Sequence, residues 1–168
     1  MMAYQNGDAA AFELLYRRHK DGLFAFLFWH YPRAAVVEEL AQDTWMAVID
    51  AARRYQPRAR FRTWLYQIAH NKLVDHWRRQ DNRHAPLDTV TKTACAEAAD
   101  SIEQQRNVDT LMAALAGLPQ EQKNALLLQE QGFSHADIAE ITGVGMETIK
   151  SRLRYARKQL REHLGEEP

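Results

Sequence analysis

A single cysteine, Cys95, leaves this chain without an internal disulfide and without a second thiol for a zinc site. No apolar run approaches the length of a membrane span, and no cationic segment followed by an apolar one opens the chain. The sequence therefore predicts a soluble protein that stays in the cytoplasm. Alternating apolar and polar residues of the strand type are also missing, which argues against a sheet-based fold. The seven histidines form no HExxH pair, no glycine-rich phosphate loop is present, and the acids offer no paired catalytic setting. The expectation is a protein that is not an enzyme, with no catalytic residue, metal, cofactor or small-molecule substrate.

What remains is helical. At 168 residues and 46% hydrophobic content, the chain can form one ordinary domain or two small ones. Periodicity predicts a first helix from about Asp8 to the break at Pro32, with Phe12, Leu15, His19, Leu23, Phe26 and Leu27 near its apolar side. A second helix runs from about Arg33 to Tyr55. Its inner positions are Val37, Leu40, Ala41, Thr44, Ala47, Val48 and Ala51, and its outer stripe is Glu39, Gln42, Asp43, Met46 and Asp50. Pro57 marks a loop, and a third helix spans about Phe61 to Gln80. Residues 81–100 carry Pro86 and no sustained period and read as a linker. Ser101 with Gln104 offers a capping box for the next helix, which ends near Gly117, and another helix runs from Pro119 to near Gly132. The expected fold is all-α: two small helical domains, residues 1–80 and 101–168, joined by a flexible acidic linker.

Phe133 to Lys158, FSHADIAEITGVGMETIKSRLRYARK, reads as a helix, a glycine turn and a second helix loaded with cations. Ser134 and Asp137 form a capping box, Ile138, Ala139 and Ile141 face inward, and Gly143 permits the turn. On the second helix Ile149, Leu153, Ala156 and Leu160 make one stripe, while Lys150, Ser151, Arg154, Arg157, Lys158 and Arg161 gather opposite. No acidic residue occurs between Thr148 and Arg161. This is the layout of a helix-turn-helix that closes a four-helix C-terminal unit and reads duplex DNA.

Formal net charge is zero, but the charges are unevenly spread. Arg58, Arg60, Arg62, Lys72, Arg78, Arg79 and Arg83 crowd a stretch with only Asp75 and Asp81, whereas His84 to Gln105 holds Lys92 against Asp88, Glu97, Asp100 and Glu103. Within the basic stretch the cations interleave with Tyr55, Phe61, Trp64, Tyr66 and Trp77. Unpaired bases stack on aromatic rings while phosphates need positive charge, so this mixture suits single-stranded DNA. Some of these rings, Trp64 among them, also sit at spacings suited to burial. Asn71 can offer both donors and acceptors to a base edge.

Three segments resemble the extracytoplasmic-function (ECF) sigma factors of bacterial RNA polymerase, and the likeness covers essentially the whole chain. ELAQDTWMAVIDAARRY at Glu39 to Tyr55 looks like the family's polymerase-clamp-binding helix. FRTWLYQIAHNKLVDHWRR at Phe61 to Arg79 looks like its minus-ten region, and Leu118 to Leu160 looks like its minus-thirty-five-binding domain. The resemblance implies that Glu39, Gln42, Asp43 and Met46 dock on core polymerase. It implies that Tyr55, Tyr66, Ala69, Asn71 and Asp75 build a pocket for a base flipped from the minus-ten strand, with Arg60, Arg62, Lys72, Arg78 and Arg79 on phosphates. Thr148, Lys150, Ser151, Arg154 and Lys158 would meet the minus-thirty-five duplex. An anti-sigma factor, linked to the membrane, is the further implied partner.

Three positions depart from the family pattern. His70 stands where arginine is frequent, Gly145 where proline or serine is common, and Glu147 where many members have glycine. Glu147 puts an anion at the entry to the second helix, where it would repel a phosphate. The chain begins almost on its first helix and ends soon after its last, so no added sensory domain is expected. The rival reading is a free-standing regulator that binds operator DNA through the helix-turn-helix and dimerises through its N-terminal helices. It leaves the aromatic and basic segment without a purpose.

Overall fold

Every regular element of the computed structural model is helical among the described residues, 1–81 and 102–164. The side chains of residue 81 and of residues 102–105 fall outside that description. So do the expected linker beyond Asp81 and the expected cap at Ser101. The chain divides into two compact units.

In the first unit a short α1 (Met2–Gln5) precedes α2 (Ala9–His30). Asp8 caps α2 by accepting a hydrogen bond from the Ala11 backbone N–H, and Pro32 follows its end, where Tyr31 is extended. Helix α3 (Ala34–Ala51) runs on into a 3-10 turn, Ala52–Arg54. After a loop around Pro57, α4 (Phe61–Asp81) completes the unit.

Ring contacts give the topology. Trp45 near the C-terminal half of α3 meets Phe12 and Tyr16 near the start of α2, so these helices are antiparallel. His19, Phe26 and His30 of α2 meet Phe61, Tyr66 and Trp77 of α4 in the same order, so that pair is parallel. Leu23, Phe26, Leu27, Val37, Leu40, Val48, Leu65, Tyr66, Ala69 and Leu73 fill the space between, each at most 2% exposed. Burial at this density is the main driving force for the unit. Trp45 and His30 join the core, although neither belongs to the inner positions expected from helical period.

The second unit holds α5 (Ile102–Ala116), α6 (Gln120–Glu130), most of α7 (His135–Thr142) and α8 (Met146–Leu164). Helix α8 packs on α5 and α6. The capping box is complete at α7: the Asp137 N–H donates to Ser134 Oγ at 3.1 Å, and the Ser134 N–H donates to Asp137 Oδ2 at 3.0 Å. Gly143 takes φ +69° and its N–H returns to the Ala139 carbonyl at 2.9 Å. That left-handed turn strains any L side chain, which is why glycine ends α7. Ser134→Ala should cost about 1 kcal/mol, read as a lower midpoint in thermal unfolding; an unchanged midpoint would show the cap to be redundant.

Candidate nucleic-acid interface

On α3 the inner and outer faces sort as the period requires. Val37, Leu40, Thr44 and Val48 are buried, and the Thr44 hydroxyl is satisfied by donating to the Leu40 carbonyl at 2.7 Å. Glu39, Gln42 and Met46 are exposed and Asp43 half-exposed, which leaves a mixed acidic and apolar stripe facing outward. Trp45 and Met46 are neighbours in sequence with opposite fates: one is wedged against α2, the other is 50% exposed.

The loop between the 3-10 turn and α4 gathers three half-exposed rings. Tyr55 lies 4.8 Å from Trp64 and 6.5 Å from Phe61 by ring centroids, and Phe61 lies 5.9 Å from Trp64. Gln5 Nε2 donates to the Tyr55 carbonyl at 2.8 Å, so α1 ties down the start of this loop. Arg58 and Arg60 stand exposed beside the rings. The combination offers flat apolar faces next to cations, which is what an unpaired base and its phosphate require. Partial burial raises the Tyr55 hydroxyl pKa above its ordinary value.

Along α4 the expected pocket comes apart. At about 100° per residue, Trp64, Ile68, Asn71, Asp75 and Arg78 share one side, and Tyr66 and Ala69 lie on the other. Asn71, Asp75, Arg78 and Arg79 are exposed and Lys72 half-exposed, whereas Tyr66 is 2% exposed and Ala69 fully buried. Tyr66 packs on Phe26 at 5.2 Å with the Arg62 guanidinium 5.6 Å from its ring centroid. Burial pushes its hydroxyl pKa up to about 12, against the opposing pull of Arg62. Tyr66 and Ala69 are core residues here, on the side of α4 away from Asn71 and Asp75. Arg62 is correspondingly a brace, half-exposed between α2 and α4. It is also one of the reasons, after burial and Arg18, that the His19 pKa is lowered. Trp64 and Ile68, at seven and three residues before Asn71, lie half-exposed along the same stripe. The wheel alone could have found them.

Helix α8 has two sharply different sides. Ile149, Leu153 and Ala156 are at most 1% exposed against the rest of the unit. Thr148, Lys150, Arg154 and Lys158 are exposed and Ser151 is half-exposed, with Thr148 at the flank of the cationic stripe. Arg157 Nη2 donates to Gln129 Oε1 of α6 at 2.6 Å, so this cation braces the fold. The acids just outside the acid-free stretch both reach back onto it. Lys150 Nζ is 2.7 Å from Glu147 Oε1, and Lys158 Nζ is 3.8 Å from Glu162 Oε1. The hydrogen bond from Lys150 and its charge hold the Glu147 carboxyl below the usual carboxylate range.

Two family models match this chain: sigma-70 region 2 over residues 15–83 and sigma-70 region 4 over residues 109–160. The ECF RNA polymerase sigma factor RpoE of Cereibacter sphaeroides is 34% identical, over 94% of this chain and 88% of its own length. The RNA polymerase sigma factor CarQ of Myxococcus xanthus is 31% identical, over 99% of this chain and 96% of its own. Among solved structures, the sigma factor RpoE bound to the anti-sigma factor NepR, from Bartonella quintana, superposes with a TM-score of 0.78 at 26% identity. That match covers 94% of this chain and 99% of the other.

Proposed function

The chain belongs to the ECF sigma factors of RNA polymerase, and from that premise we propose that its two units divide promoter recognition between them. A sigma factor binds core RNA polymerase, directs it to promoters and helps open the DNA. In this reading residues 1–80 dock on polymerase and hold the melted minus-ten strand, residues 81–100 link the units, and residues 101–168 bind the minus-thirty-five duplex. The protein is a cytoplasmic initiation factor, not an enzyme.

The observation that carries the reading is α8, one side buried in a helix-turn-helix and the other presenting Lys150, Arg154 and Lys158 outward. A helix presented this way fits the major groove, where arginine and lysine pair with guanine O6 and N7. Glu39, Gln42, Asp43 and Met46 are the residues assigned to polymerase. The minus-ten strand is assigned to Tyr55 and Trp64 for stacking, Asn71 and Asp75 for base edges, and Arg60, Lys72, Arg78 and Arg79 for phosphates. Tyr66, Ala69 and Arg62 support this surface from beneath. The complex of Bartonella quintana RpoE with NepR supports an anti-sigma factor as the further partner.

Run-off transcription with bacterial core polymerase tests the proposal. Promoter-specific transcripts should require the protein and fall roughly tenfold with Asn71→Ala, within the about 1–3 kcal/mol that a base edge loses when its hydrogen-bond partner is removed. Tight duplex binding by the protein alone, with no transcripts in any combination, would favour the operator-binding regulator.

A further inference from the structure

Glu147 is the second residue of α8 and its side chain is 86% exposed. Burial does not account for it, nor does any bond that holds the fold, because its ion pair is with Lys150 on the same turn. Its direction is informative. At about 100° per residue, Glu147 falls roughly 20° from both Arg154 and Lys158, two and three helical turns further on. It is therefore in the middle of the face that would enter the groove, and not on a flank where a solvated acid would be inert. It also occupies the N-terminal end of the helix, the part whose side chains contact base edges when a helix-turn-helix docks.

An anion so placed has two possible fates on DNA. Against a phosphate it only repels. Against a base edge it can accept from the exocyclic amine of cytosine, the usual partner of a glutamate in the major groove. The pair with Lys150 favours the second. One carboxylate oxygen, Oε1, holds the ammonium at 2.7 Å, and a carboxylate has further acceptor sites to offer. The result is a donor and an acceptor side by side. A G·C pair shows the complementary arrangement, the guanine O6 and N7 acceptors next to the cytosine N4 donor.

We propose that Glu147 is a specificity-determining residue: with Lys150 it reads one G·C pair of the upstream promoter element, accepting from cytosine N4 while Lys150 donates to the guanine. The inference rests on the reading of α8 as the helix that enters the major groove. The Lys150–Glu147 contact is present in the free protein, so donor and acceptor already lie side by side on the first turn of α8.

The experiment is selection by holoenzyme, full-length chain with bacterial core polymerase, from a promoter library randomised across the upstream duplex element. Wild type should enrich cytosine at one position by roughly tenfold. Glu147→Ala should weaken that preference, leaving only what Lys150 contributes on the guanine, and leave the other positions unchanged. Glu147→Gln should move it toward adenine, which glutamine pairs bidentately. An unchanged motif with uniformly higher yield from Glu147→Ala would overturn the proposal in favour of phosphate repulsion, and enrichment of adenine or thymine by wild type would overturn the cytosine assignment. Arg154→Ala separates the two levels. If it alters the motif while Glu147→Ala does not, the docked helix stands and the Glu147 role falls; if neither alters it, the reading of α8 itself falls. Wild-type melting of these variants excludes a folding defect, as expected for side chains this exposed.

Discussion

Tyr66→Ala should destabilise the first unit by about 3–5 kcal/mol, the usual range for removing a buried aromatic ring. For a unit of this size that is on the order of 15–25 °C in unfolding midpoint. The ring is 2% exposed, packs on Phe26 and supports the Arg62 guanidinium, so truncation leaves a cavity and an unsupported cation together. Tyr66→Phe keeps the ring and gives up the hydroxyl's hydrogen bond to Arg62, so it should lose only about 1 kcal/mol. Scanning calorimetry of the three proteins decides between a core residue and a base-pocket residue. Should Tyr66→Ala melt like wild type and lose only promoter opening, the ring would belong to the DNA surface after all.

Leu153→Ala and Arg154→Ala should separate fold from binding within two consecutive residues. Leu153 is 1% exposed on the inner side of α8, and its truncation should cost about 2–5 kcal/mol, enough to threaten a unit this small. Arg154 is exposed with its guanidinium 5.1 Å from the Tyr155 ring centroid, so Arg154→Ala should move stability by no more than about 0.5 kcal/mol. The same change should weaken holoenzyme selection of the upstream element by about 1–3 kcal/mol and flatten base preference at one position. Comparable melting of the two variants would mean that α8 is not oriented as described.

The helix boundaries are legible in the sequence because local chemistry fixes them. Asp8, Pro32, the Ser134–Asp137 box and Gly143 act within one turn of where they stand, and each sits at the boundary it predicts. The face of α8 is legible for a different reason: its apolar and cationic residues separate cleanly around the wheel. Helix α4 offers no such separation. It carries Arg62 on the inner side and Arg78 on the outer, and aromatic rings on both, so the assignment of Tyr66 and Ala69 to a pocket rests on family resemblance alone. Matched positions say nothing of direction, and the packing of Phe26 against Tyr66 turns that pair inward. Helix α1 leaves no signal in the sequence. Four residues are too few to show a period and too few to be helical without tertiary support. The burial of Trp45 is equally hidden, because its place is set by Phe12 and Tyr16 on another helix, a non-local fact.

The ring lattice that gives the first unit its topology also divides the protein optically. The chain has four tryptophans, and Trp29, Trp45, Trp64 and Trp77 all stand between residues 1 and 81. The second unit is left with Tyr155, half exposed on α8. Indole emission from the intact chain thus follows one unit alone, while far-ultraviolet dichroism follows the helices of both. A tyrosine-to-alanine lesion in one unit and a leucine-to-alanine lesion in the other can then be told apart in a single cuvette, without cutting the chain or attaching a label.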